Sequence, residues 1–106
     1  MNRKVWGSTE LIFSNETTTV HRAFINKNGQ SSRHYHKHKS NLFYVESGFI
    51  SVTVWDDSGK REVFLREGEK PSIQPNIWHR FKAIEDSIIL EIYAVTIDLE
   101  DIVRDV

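Results

Sequence analysis

Apolar and polar residues alternate from Phe49 to Trp55: Ile50, Val52 and Val54 share one face, Ser51 and Thr53 the other. That is the two-residue period of a strand buried on one side. Other short runs rich in β-branched and aromatic residues occupy Thr18 to Ile25, Asn41 to Val45, Glu62 to Leu65, Ile77 to Ala83 and Ser87 to Val95. The last is apolar on both faces except at Glu91, which predicts a strand covered on both sides or lying at a subunit contact. Between the runs stand Asn28-Gly29, Ser47-Gly48, Asp57-Ser58-Gly59, Glu67-Gly68 and Glu85-Asp86, where glycine or a short polar side chain supplies the angles of a tight turn. Strands this short, with turns about every 10 residues, predict a sandwich or barrel. Only Leu99 to Arg104 allows a short terminal helical turn. With no repeat, linker or low-complexity segment, residues 1–106 read as one all-β domain.

Composition narrows the function classes. The 106 residues suit one domain, and 39% apolar with 27% charged residues is ordinary globular usage. A net charge of −1, with neither half strongly basic, argues against a nucleic-acid partner. Without cysteine there is no disulfide framework and no thiolate, so any metal takes nitrogen and oxygen ligands. Leu11-Ile12-Phe13 is too short for the apolar part of a signal peptide, and Ile88 to Ile97 is too short to span a bilayer. The expectation is a soluble, cytoplasmic protein with no membrane partner.

The candidate chemistry lies in the histidines. His34, His36 and His38 occur in Arg33-His34-Tyr35-His36-Lys37-His38-Lys39, and His79 in Trp78-His79-Arg80. On a strand, residues i and i+2 point the same way, so His34 and His36 present adjacent imidazoles. His79 shares a strand face with Phe81, and a third imidazole from a neighbouring strand completes a facial set with positions open for water or substrate. The plainer reading is a solvated basic edge strand, whose charges block sheet-to-sheet association, with His79 a structural histidine. His36, His38 and His79 form an alternative set of the same parity, with His38 otherwise expected near the rim. His21 lies away from both segments and reads as structural or exposed.

His34, His36 and Gly48 resemble the first cupin motif, a glycine, an HxH pair, a glutamate and a second glycine at set intervals, with Asn41 in the glutamate's place and Gly29 one residue late. Gly68, Gln74, Asn76, His79 and Ala83 follow the spacing of the second, a glycine, PxG, a histidine and an asparagine. Shorter matches at Trp6-Gly7-Ser8, Ser31-Ser32, Phe43-Tyr44-Val45, His79-Arg80-Phe81 and Asp101-Ile102-Val103-Arg104 look like the cupin domain of type II mannose-6-phosphate isomerases, fused there to mannose-1-phosphate guanylyltransferases. That family commonly has glutamine where this chain has His34. The resemblance implies a single-domain double-stranded β-helix, or jelly-roll barrel. It also implies one divalent ion (Zn, Mn, Fe, Ni or Co) on His34, His36 and His79 with Asn41 as a further ligand, and a homodimer formed through the sheets. Val5, Trp6 and Ile12 are then suited to pairing with a neighbour, and Trp55 and Trp78 are contact or core residues.

Asn41 lies five residues after His36, so a regular strand aims it at the opposite face, and a loop or bulge through Lys37 to Ser40 is needed to turn it inward; the plainer reading is a turn residue. Three neutral imidazoles also leave a divalent ion its full charge, which favours anionic oxygen ligands such as carboxylate, phosphate or enediolate. Three functions follow. One is a metal-dependent cupin acting on a sugar or sugar phosphate in the manner of an isomerase. Its general base is unassigned; Glu91, sharing a face with Ile89 and Tyr93, is a candidate beside the plainer reading of a structural carboxylate. The second is an Fe(II) dioxygenase-like cupin with three histidines. The third is a non-catalytic small-molecule binder, whose pocket Phe43 and Phe81 would line if they are not simply core.

Overall fold

The computed structural model describes residues 2–95 and 103–104. The terminal turn expected over Leu99 to Arg104 therefore lies outside the described residues, apart from Val103 and Arg104, which carry no regular structure. The strands are β1 (Asn2–Lys4), β2 (Gly7–Ser14), β3 (Thr18–Ile25), β4 (Ser40–Ser47), β5 (Phe49–Asp56), β6 (Gly59–Arg66), β7 (Ser72–Ile73), β8 (Trp78–Ala83) and β9 (Ser87–Ala94), with no helix among the described residues. They form a six-stranded sheet in the order β1-β2-β3-β9-β4-β7 and a three-stranded sheet in the order β6-β5-β8, with antiparallel pairing throughout. This is the all-β jelly-roll arrangement that the resemblance implies.

The N-terminal segment pairs within the chain. β2 runs along β3 from Gly7↔Ile25 to Ser14↔Thr19 with a bulge at Ile12, and Trp6 packs edge-on against Phe81 at 5.0 Å. Trp55 and Trp78 are cross-strand partners on the outer face of the smaller sheet, where the Arg33 guanidinium stacks over both. The turn at Gly48 admits no other residue: its φ is +97°, and an added Cβ would stand 2.2 Å from Ser87 Oγ.

Inward positions of both sheets build the core. The larger sheet gives Ala23, Ile25, Phe43, Val45, Ile73 and Ile89, and the smaller gives Ile50, Val52, Leu65, Phe81 and Ala83. Towards one end of the barrel the same rows change character. The inward series runs Ile25-Ala23-His21 on β3, Val45-Phe43-Asn41 on β4, Ala83-Phe81-His79 on β8 and Ile89-Glu91-Tyr93 on β9. Apolar pairs thus close one end of the barrel, while the other collects imidazole, amide, carboxyl and phenol groups. That end is where chemistry can occur.

Candidate metal centre

Ser31 to Lys39 is not a strand, contrary to the expectation that strand parity brings His34 and His36 together. It is an extended connection held by two isolated bridges, Gln30 with Lys82 and His34 with His79. The His34 and His79 amides donate to each other's carbonyls, and the Asn76 amide donates to the His36 carbonyl at 2.7 Å. Asn76 adopts a left-handed φ of 66°, a conformation asparagine tolerates better than most residues, which accounts for asparagine where the motif has glycine.

His34, His36 and His79 each offer a ring nitrogen, and the three atoms lie within 4.8 Å of one another. Nitrogens bound to one ion at ~2.0–2.1 Å lie at most about 4.2 Å apart, so small side-chain movements close the set. Two of the three rings are already oriented. His34 Nδ1–H donates to the Ser32 carbonyl at 2.7 Å and His79 Nδ1–H to that of Ile77 at 2.9 Å. Each Nε2 thereby keeps its lone pair as an acceptor, as metal-bound histidines require. His36 Nε2 is buried without a hydrogen-bond partner. Burial pushes the His79 imidazole down to about 4, and His36 is also lowered, first by burial and then by His34 and Lys39. Neutral imidazoles with bare nitrogens, one of them orphaned, fit a metal ion.

The chain bends at Lys37 and His38 before β4 begins, which turns Asn41 inward. Asn41 is 1% exposed; its Nδ2 lies 3.4 Å from His79 Nε2, and its Oδ1 is buried with no partner. Exchanging the amide's ends, which are not distinguished by shape, would present oxygen to the same point. His38 is exposed and stands apart from the three-histidine group.

Beside the histidines opens a cavity of about 460 Å³ lined by Lys4, Trp6, Thr9, His21, Ser31, Ser32, His34, Phe81, Glu91 and Tyr93. Phe81 thus borders the cavity, whereas Phe43 is fully buried in the core with its ring 6.3 Å from that of His79. Glu91 is 6% exposed and accepts a hydrogen bond from the Tyr93 hydroxyl. Burial raises the Glu91 carboxyl above the ordinary range, although Tyr93, His21, His34 and Lys4 oppose this. Tyr93 is raised by burial and then by the Glu91 charge. His21 is the register partner of Glu91 and lines the cavity, so this residue, read as structural or exposed, faces the site. Its parity with Ala23 and Ile25 was the available signal. Lys4 gave no comparable sign, because its place depends on which strands become neighbours.

Residues 14–96 match the family described as Cupin domain. No curated protein matches the sequence. The fold is similar to KdgF from Halomonas sp., with a TM-score of 0.78 and 16% identity over 92% of this chain and 86% of that one. An RmlC-like cupin from Shewanella frigidimarina gives 0.76 and 20%, over 93% and 85%. Oxalate decarboxylase from Bacillus subtilis gives 0.79 and 18%, over 95% of this chain but 29% of that one. At these identities the structural likenesses carry the fold alone. With most of its length matched and both sheets in place, the chain belongs to the cupin domain family.

Proposed function

We propose that this cupin holds one divalent metal ion on His34, His36 and His79, with the Asn41 amide as a fourth group, and acts on a small anionic, sugar-like molecule in the manner of an isomerase. The observation that carries the reading is the convergence of three ring nitrogens within 4.8 Å at the wall of a cavity that also holds Lys4 and Glu91. When bound, the ion supplies Lewis acidity toward a carbonyl or hydroxyl oxygen. Lys4 attracts an anionic group, Ser32 offers a hydroxyl, and Phe81 and Trp6 form an apolar wall against which a sugar ring can lie. The Mn(II) centres of Bacillus subtilis oxalate decarboxylase make manganese one candidate beside Zn, Fe, Ni and Co. The resemblance to type II mannose-6-phosphate isomerases supports a sugar phosphate as ligand.

The same reading includes a homodimer. The outer face of β3, β9 and β4 carries Val20, Phe24, Leu42, Tyr44, Ile88, Leu90 and Ile92, all partly exposed. An apolar sheet face of this kind suits a second copy of the chain.

Elemental analysis of untagged protein, followed by titration with mannose 6-phosphate before and after chelation, tests the proposal. The expected result is about one metal per chain, with sugar-phosphate binding and interconversion lost on chelation. Absence of metal even after reconstitution overturns it, and Fe(II)-dependent oxygen uptake without sugar chemistry replaces it with an oxygenase.

A further inference from the structure

The groups facing the proposed ion are three imidazoles and one carboxamide, none of which carries negative charge. The cavity beside them adds Lys4, a further cation. Positive charge gathered in a partly buried site is costly unless an opposite charge stands close by. Glu91 is the acid in position: it is buried on the inward row of β9, lines the same cavity, and forms no ion pair among the described residues.

Its connections lead to the histidines. The Tyr93 hydroxyl donates to the Glu91 carboxylate. Tyr93 is the register partner of Asn41 across β9 and β4. The Tyr93 ring also stands edge-on to His36, with centroids 5.0 Å apart. Asn41 closes the chain with its amide 3.4 Å from His79 Nε2. Glu91, Tyr93 and Asn41 therefore stand in one row that leads from a buried carboxylate to the point where the imidazoles converge.

We infer that Glu91 is the counter-charge of the metal centre, coupled to it through Tyr93, which stands beside Asn41 and edge-on to His36. It is a positioning residue: its charge offsets that of the ion, and its hydrogen bond fixes the Tyr93 side chain that packs against His36. This rests on the metal-binding reading above and adds a carboxylate to it without making that carboxylate a ligand. Partners of this kind are worth about 10–100-fold in metal affinity.

The test is titration of the untagged, metal-free full chain with Co²⁺, whose visible bands report occupancy and ligand geometry. Glu91→Gln keeps the shape and the acceptor for Tyr93 but removes the charge. The expected result is binding weakened about 10–100-fold in Glu91→Gln, a smaller loss in Tyr93→Phe, and recovery when Asn41→Asp is added to Glu91→Gln. Wild-type affinity in Glu91→Gln overturns the inference and leaves the metal site standing. So does a weakening that Asn41→Asp does not repair, which marks Glu91 as structural. Failure of the wild type to bind Co²⁺ removes the metal reading itself and the inference with it.

Discussion

His34 and His79 hold each other by both main-chain amides, the His34 N–H reaching the His79 carbonyl at 3.0 Å and the His79 N–H reaching that of His34 at 2.8 Å. Their rings are 4.4 Å apart. The backbone thus brings together two imidazoles from distant segments of the chain. The two side chains differ in burial, His79 being 1% exposed and His34 partly exposed. Both His34→Ala and His79→Ala are expected to lose the metal. Only His79→Ala should cost the metal-free protein stability, by about 2 kcal/mol through an emptied site and an unpaired Ile77 carbonyl. Elemental analysis and urea unfolding in chelator check both outcomes.

Acid should weaken the metal-free fold through His79. Its imidazole titrates at 6.5 in the unfolded chain and at about 4 in the folded one. Between these values the unfolded chain binds a proton that the folded chain refuses, so stability rises with pH across the window and is lost as pH falls through it. The contribution between about pH 7 and about pH 5 is at most about 2 kcal/mol, reduced by solvent reaching the ring through the cavity. His79→Asn should show a flatter dependence of the urea midpoint on pH.

Glu91 works in the opposite direction. Its folded pKa is raised by burial, so the folded chain keeps a proton that the unfolded chain has released, and stability falls as pH rises above the ordinary carboxyl range of 4.5. Glu91→Gln should therefore stabilise the metal-free protein near neutral pH and lose that advantage in acid. Thermal unfolding at the two pH values, with chelator present, measures it. A stabilised fold combined with weaker metal binding would identify a carboxylate kept for the site at the fold's expense.

The outer sheet face gives a prediction about assembly. Leu90 lies in the middle strand of β3-β9-β4, between Arg22 and Tyr44. Leu90→Glu places charge at the centre of that face and should convert a dimer to a monomer in light scattering, with metal content unchanged. A wild-type monomer would refute the dimer proposal.

Much of this molecule was legible in the chain. The alternation in β5 and the β-branched runs of β3 and β9 disclose strands, because a two-residue period needs only local geometry. The same periodicity placed Ile89, Glu91 and Tyr93 on one face, and the spacing of His34, His36 and His79 singled out the histidines that converge. Tertiary structure decided the rest. His34 and His36 are directed by backbone bridges to β8 and the Asn76 turn rather than by a strand of their own. Asn41 turns inward because the chain bends at Lys37 and His38. His21 and Glu91, seventy residues apart, meet because β3 pairs with β9. Local pattern determines which face a side chain takes, whereas the neighbour it meets there depends on strand pairings between distant parts of the chain, and those are settled by burial of the whole core.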